Sequence, residues 1–146
     1  MPKPPKVGTR AAVGTVLVLG ALALGGCGDL LGTRLERDVR IEVDPTVEEE
    51  HITAVIRNEG SADVMVHHDC MKRLRPVVDG VLQPPEHVIC AAVLIPPTPI
   101  PPGDALEWEL SIRGVEPGTY RAWFTLTDVG GELPEAMRLS DPFTLQ

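Results

Sequence analysis

Three of the four histidines and two of the three cysteines of this 146-residue chain lie between positions 67 and 90. His67, His68 and His87 carry imidazoles, and Cys70 and Cys90 carry thiols. Imidazole and thiolate are ligands that suit copper and zinc. However, zinc patterns use closely paired ligands, which this spacing does not match, and neighbouring strand residues point to opposite faces. Copper or zinc binding is therefore kept as an alternative, and no metal ligand is assigned.

The two cysteines of this segment are better explained as a disulfide. In an oxidising compartment, an even pair of cysteines in a small domain usually forms one. Closing a loop of this size stabilises a fold by about 3 kcal/mol. For an exported chain, the sequence predicts a disulfide between Cys70 and Cys90.

The third cysteine, Cys27, ends an apolar segment near the N-terminus. Residues 1–10 are basic and proline-rich, and residues 11–26 carry no charge. This order is typical of an export signal, and the apolar core over 11–24 is shorter than the about 20 residues of a membrane span. We predict a signal peptide over residues 1–26. An ordinary secretory signal and a retained anchor are alternatives, and both place the rest of the chain outside the cytoplasm.

The motif Leu24-Gly25-Gly26-Cys27 resembles the lipobox of bacterial lipoproteins, in which a branched apolar residue and two small residues precede a cysteine. The resemblance implies a diacylglyceryl group on the Cys27 thiol and cleavage just before that residue. The protein would then be lipid-anchored at the cell envelope, facing the periplasmic or extracellular side, with residues 27–37 as a tether. Gly28 stands where inner-membrane lipoproteins of two-membrane bacteria often have Asp, which slightly favours an outer-membrane address.

The chain beyond the signal is acidic. Its net charge is −8, and Lys3, Lys6 and Arg10 are the charged residues before Cys27, so the remainder carries −11. An acidic surface lacks the cations that phosphate binding needs, which argues against nucleic acid as a partner. The basic cluster Lys72–Arg75 is interpreted as charges that protect an exposed strand edge, with a patch for an acidic partner as the alternative.

Residues 38–146 alternate apolar and polar side chains in short runs, as strands with one buried face do. Turn pairs such as Asp79-Gly80 separate the runs, and the prolines of residues 95–104 exclude a central strand there. We expect an all-β domain, an immunoglobulin-like antiparallel sandwich of seven or eight short strands. The residues expected on buried faces are Val39, Ile41, Val43, Ile52, Ala54, Ile56, Val64, Val66, Val88, Cys90, Ala92, Leu94, Leu106, Trp108, Leu110, Ile112, Tyr120, Ala122, Phe124 and Leu126.

Three stretches, "VIRNEGSADVMV", "IPPGDALEWEL" and "EPGTYRAWFTL", occur in an order that resembles bacterial immunoglobulin-like modules, including the domain of the intracellular proteinase inhibitor family. The third stretch also resembles a tyrosine corner, which implies that the Tyr120 hydroxyl bonds to nearby backbone; a plain core tyrosine is the alternative. These motifs are turns rather than site residues, so they support the fold more than a function.

The sequence shows no catalytic pattern: Gly-x-Ser-x-Gly, His-Glu-x-x-His and a Walker loop are absent. We therefore expect no enzymatic activity and no cofactor. The prediction is a membrane-anchored, non-catalytic interaction or accessory domain that binds a protein partner through strand edges and loops. Protease inhibition and copper or zinc binding are the alternative functions.

Overall fold

The computed structural model describes residues 36–89 and 94–146, which belong to one compact unit. The predicted signal peptide, Cys27, the tether up to residue 35 and Cys90 lie outside the described residues. The strands are β1 (Val39–Glu48), β2 (His51–Asn58), β3 (Val64–Val66), β4 (Leu74–Val78), β5 (Val81–Leu82), β6 (Thr98–Ile100), β7 (Ala105–Ser111), β8 (Gly118–Ala122), β9 (Leu126–Asp128), β10 (Gly131–Glu132) and β11 (Phe143–Leu145), with a 3-10 turn, η1, at Glu135–Met137. In this part of the chain no helix is long and apolar enough to cross a lipid bilayer.

The strands form three antiparallel sheets, in the orders β1-β2-β7, β10-β9-β3-β6 and β11-β8-β4-β5. The second and third sheets continue one another. His67 N donates to Thr125 O at 3.0 Å, and Trp123 N donates to Arg73 O at 2.7 Å, so β3 leads into β4 beside the passage from β8 to β9. Together these two sheets form the layer that packs against β1-β2-β7. The predicted all-β antiparallel sandwich is confirmed.

The number of strands exceeds the seven or eight expected. The strand predicted from the alternation of residues 119–128 is divided into β8 and β9. Three further strands, β6, β10 and β11, have two or three residues each. Such short strands contain too little alternation to be recognised from the sequence, because they form through pairing with a neighbour rather than through a buried face of their own.

The core lies between the two layers, where most of the predicted inward faces meet. Phe124 and Leu126 are fully buried, and so are Ala54 and Ile56 on the central strand β2. Tyr120 is half-buried, and its hydroxyl donates to Glu116 O at 2.7 Å, which confirms the tyrosine corner. The hairpin predicted at Asp79-Gly80 joins β4 to β5, and both residues have the positive φ that this two-residue turn requires.

The strand predicted over residues 87–94 is wrong in the described part. Val88 is 44% exposed and Leu94 is fully exposed, although both were expected on a buried face. His87 forms an isolated bridge with Met71. Residues 86–88 pair with residues 70–72, which belong to none of the three sheets, so this pairing does not bury Val88 in the core between the layers.

The end of the sandwich at which β2 stops is held by a buried asparagine, Asn58. Its Nδ2 donates to Ala62 O at 2.7 Å and to Ile100 O, in β6, at 2.8 Å. Its Oδ1 accepts from Gly60 N at 3.1 Å. Its backbone N–H donates to Asp104 O and its carbonyl accepts from Gly103 N. One side chain thus joins β2, the following turn and a strand of the opposite layer.

Replacing Asn58 with Ala should destabilise the domain by about 3 kcal/mol, because a buried carbonyl, that of Ile100, and a partly buried one, that of Ala62, lose their donor. Urea denaturation followed by tryptophan fluorescence measures the change. The matched control is Thr144→Ala, at an exposed strand position, which should change the unfolding free energy little. Equal stability of Asn58→Ala and the parent would contradict the assignment of Asn58 as the link between the layers.

Candidate functional site

His67 and His68, which the alternative metal-binding hypothesis would use, point in different directions. His67 Nε2 lies 2.8 Å from the Thr127 hydroxyl in β9, whereas His68 Nε2 lies 2.9 Å from the Thr98 hydroxyl in β6. The two side chains therefore lie on opposite sides of the strand, as their adjacent positions require. Among the described residues, no group of three or more His, Cys, Asp or Glu side chains is close enough to hold a metal ion.

Cys70 takes part in a disulfide. The residues around it pair with the segment that leads toward the second cysteine: Val88 N donates to Cys70 O at 2.9 Å, and Lys72 N donates to Glu86 O at 2.8 Å. This pairing brings the chain to within two residues of position 90. Because residue 90 is outside the described part, the partner assigned to Cys70 remains the predicted one.

Within the basic cluster Lys72–Arg75, Lys72 is exposed, whereas Arg75 does not lie on a solvated strand edge. Arg75 is buried on β4, which has β8 on one side and β5 on the other. Its Nε donates to Gln83 O at 2.8 Å, and its Nη1 donates to Glu135 at 3.0 Å. The interpretation as edge protection is therefore wrong for Arg75. Its charge is paired with Glu135, which is far away in the sequence and could not be recognised as a partner from the sequence alone.

Arg73 also points inward and contacts two aromatic rings. Its Cζ lies 5.3 Å from the ring centroid of Phe124 and 5.6 Å from that of Trp108. Nη2 donates to His67 O at 2.7 Å and lies 3.1 Å from the Asp69 carboxylate. Burial lowers the pKa of Arg73, and Asp69 opposes this shift. The Thr125 hydroxyl donates to the same carboxylate, so a charge-and-aromatic cluster closes the side of the sandwich between β7 and β3.

Trp108 is the outermost ring of this cluster and has an open cavity on each side. One cavity, of about 300 Å³, is lined by Arg73, Arg113 and Val115, among others. The other, of about 310 Å³, is lined by His68, whose ring centroid lies 4.8 Å from that of Trp108.

A larger groove, of about 550 Å³, lies on the other side of the sandwich. It runs along residues 39–43 of β1 and is bounded across the gap by Leu139 and Phe143. Within residues 36–89 and 94–146, β1 pairs only with β2 and β11 only with β8, so each strand has an unpaired edge on the side where the two strands approach one another. Free N–H and C=O groups beside apolar side chains are the features by which a sheet edge accepts an additional strand.

The far half of β1 is protected against such pairing. The register of β1 on β2 shifts between Asp44 and Glu48, and Pro45, within that shift, has no N–H to donate. Over residues 39–44 the register is regular. The rim of the groove carries Arg121 and Asp141, charges of both signs. The groove thus combines the unpaired edge of β1 with charged side chains at its rim, and it has the size of a short extended peptide.

The sequence did not identify this groove, although it predicted the first part of β1, residues 39–43; β1 continues through Asp44-Pro45, where a turn was expected. Alternation shows which face of a strand is buried, but not which edge lacks a neighbour. The shift at Pro45 was the available signal, since proline within a strand indicates an edge.

No protein-family model and no curated protein matches the chain. Among solved structures, the chain is similar to the one described as the X-ray structure of Northeast Structural Genomics Consortium target SoR45. The two share 16% sequence identity with a TM-score of 0.43, and the match covers 76% of this chain and 85% of that one. At these values the similarity carries no argument about function, and the resemblance to the proteinase inhibitor family stays a prediction.

The Arg73 cluster yields a test by double substitution. Asp69→Asn should destabilise the domain by about 2 kcal/mol, because it leaves a largely buried cation without its counter-charge. Adding Arg73→Met to that variant should restore much of the loss, since the cation is then removed as well. Chemical denaturation of the parent, both single variants and the double variant measures the coupling. If the changes in unfolding free energy of the two single variants simply add up in the double variant, Asp69 and Arg73 do not interact energetically and this assignment is wrong.

Proposed function

We propose that this chain is an extracytoplasmic lipoprotein, anchored through Cys27, whose sandwich domain binds an extended segment of a protein partner without catalysis. The observation that carries the binding role is the free edge of β1 beside the 550 Å³ groove. Main-chain hydrogen bonds to residues 39–43 would supply affinity, and the groove side chains would select the sequence that is bound.

The charges at the groove define the chemistry of the partner segment. Arg40 is 63% exposed in its side chain, and its contact with Glu59 is long, at 3.9 Å. Arg121 donates through Nε to Ser140 O, and Asp141 lies nearby on the groove wall. A peptide that alternates apolar residues with charges of both signs would match this surface, because its apolar side chains would face Ile41 and Phe143.

Hydrogen bonds from Glu36 and Arg37 hold the start of the domain against the rest of the sandwich. Glu36 N donates to the Ser61 hydroxyl at 2.9 Å, and Ser61 N donates to Glu36 O. A side chain at Gly60 would place its Cβ 2.5 Å from that same oxygen, so the turn needs glycine. Arg37 binds Asp128 through both carboxylate oxygens, and these hydrogen bonds lower the pKa of the Asp128 carboxyl.

These contacts hold the first described residues of the domain, to which the proposed tether would connect. From Cys27 to Glu36 there are nine residue steps, which span at most about 30 Å. An acylated Cys27 would therefore keep the sandwich close to the membrane surface. The disulfide at Cys70 is consistent with this location, because disulfides persist in oxidising compartments.

The anchor is tested by Cys27→Ser in the full chain, expressed in a bacterium that is fed a labelled fatty acid. The parent should carry the label and lose residues 1–26, whereas the variant should remain unlabelled and uncleaved. Intact-mass measurement of the parent shows the acyl addition directly. Cys70→Ser is the matched control and should still be labelled. Labelling of Cys27→Ser equal to that of the parent would refute the lipobox assignment.

The binding role is tested by filling the groove. Ala136 is exposed and lines the groove, so Ala136→Trp should block the groove while leaving the core unchanged. A photo-crosslinking amino acid at position 40, used in intact cells, should give a defined protein adduct in the parent and little of it in Ala136→Trp. Ala105→Trp, at an exposed position outside the groove, is the control and should keep the adduct. Equal adduct in all three would contradict binding at the groove.

A further inference from the structure

The ladder between β1 and β2 determines which main-chain groups of β1 face its unpaired edge. Val39 lies opposite Asn58, and the N–H and carbonyl of Asn58 bond to residues 103–104, on the side of β7. An antiparallel ladder alternates residues whose main-chain groups face the partner strand with residues whose groups face away from it. The N–H and carbonyl groups of Val39, Ile41 and Val43 therefore point away from β2, toward the unpaired edge.

The solvent-facing side chains of the same segment carry opposite charges. Arg40 and Glu42 are 63% and 52% exposed in their side chains. Their contacts within the domain are long, at 3.9 Å from Arg40 to Glu59 and 3.4 Å from Arg57 to Glu42. Exposed ion pairs of this kind contribute little to stability, so both side chains are available to another molecule. Residues 39–43 thus alternate apolar side chains with charges of both signs, which is the pattern that matches the groove.

We propose that the extended segment bound at β1 is β1 of a second copy of this chain, paired antiparallel about a two-fold axis at Ile41. The inference rests on the proposed binding role, since it uses the same edge, and it names the partner. Ile41 would lie opposite Ile41 of the second copy, and Val39 opposite Val43, with their main-chain groups facing one another. Arg40 would lie opposite Glu42 of the second copy, and the two-fold axis produces this contact twice.

The charges select this register over its neighbours. Arg40 and Glu42 occupy the non-hydrogen-bonded sites of the proposed ladder, where opposite Cα atoms are about 4.5 Å apart and side chains come closest. A shift by two residues would place Arg40 opposite Arg40, or Glu42 opposite Glu42, and like charges destabilise such pairs. At the ends of the ladder Asp38 lies opposite Asp44 of the second copy; both are exposed, so salt screens their repulsion. Pro45 has no N–H and ends the pairing.

The other edge of the same sheet is unsuited to pairing with itself. Within residues 36–89 and 94–146, β7 pairs only with β2, and its exposed side chains include Glu107 and Glu109. Antiparallel pairing of β7 centred on Trp108 would place Glu107 opposite Glu109, and centring on either glutamate would place it opposite its own copy. Such like charges repel. Because a two-fold interface uses the same strand of both copies, association through β1 stops at the dimer.

The symmetry of this pairing is compatible with the proposed anchor. The two Asp38 residues of the dimer would be six residue rises apart along the ladder, which is about 20 Å. When the two-fold axis is normal to the membrane, both domains begin at the same height above it. Antiparallel pairing therefore does not require the two proposed anchors to lie in different membranes.

Exchange of the two charges tests the pairing. Two copies of the full chain with different C-terminal tags are co-expressed in a bacterium, and one tag is captured in mild detergent. Arg40→Glu in both copies, or Glu42→Arg in both, places like charges at each contact and should lower the recovery of the second tag about tenfold relative to the parent. Arg40→Glu in one copy with Glu42→Arg in the other restores opposite charges at both contacts, so recovery should return to the parent level.

The matched control is Arg113→Glu in both copies. It makes the same change of charge at a side chain that is 81% exposed and lies outside β1, so recovery should equal that of the parent. Mixed detergent micelles cannot explain a selective loss, because all of these chains retain Cys27. The mixed pair also shows that both variants fold, since only folded domains can pair through β1.

The outcomes separate self-pairing from the proposed binding role. Equal recovery in the parent and in the Arg40→Glu pair, or no recovery in the parent, would overturn the self-pairing, as would a mixed pair that stays at the level of the single variants. The photo-crosslinker at position 40 identifies the partner independently. An adduct of twice the mass of the chain supports the dimer. An adduct with a different protein would overturn the dimer and leave groove binding standing, and the absence of any adduct would contradict both.

Discussion

At the end of the sandwich where β2 stops, Asn58 uses every hydrogen-bonding group it has: its backbone N–H and carbonyl, both Nδ2 hydrogens and Oδ1. The side chain is almost fully buried, so water cannot replace these partners. Leaving such groups unpaired costs far more than a typical hydrogen bond contributes. The two layers must therefore keep the spacing and orientation that let one amide reach a loop carbonyl and a carbonyl of β6. The turn that receives Glu36 is set by the same residue.

On the β7 side, a different interaction fills the space between the layers. Arg73 lies against Phe124 and Trp108 and is held by the Asp69 carboxylate and a backbone carbonyl. With aromatics scarce in the chain, at 3%, a guanidinium takes part of the role that a larger apolar residue would have. The side that remains open is the one along β1, where the groove lies. The proposed binding is therefore assigned to the edge of β1, which lies beside this groove.

The histidine and cysteine side chains that could have formed a metal site instead make contacts that stabilise the fold. His67 and His68 each bond a threonine on a different neighbouring strand, and Cys70 is in a disulfide. Imidazoles already engaged with hydroxyl groups on opposite faces do not converge on one point. The described surface has unpaired main-chain groups along β1, and the proposed binding of an extended peptide depends on them.

The sequence by itself determined the features that depend on neighbouring residues. Alternation over residues 39–43, 52–56 and 106–112 predicted strands and their buried faces, and Asp79-Gly80 predicted a hairpin, because period and turn chemistry act within a few residues. The hydroxyl bond of Tyr120 was implied only by the resemblance of its stretch to a tyrosine corner, with a plain core tyrosine as the alternative. Only the tertiary structure decided that one edge of β1 is unpaired, that Arg73 and Arg75 point inward, and that Val88 and Leu94 are exposed. Each of these depends on partners far along the chain, such as Glu135 for Arg75, and no local pattern records such a partner.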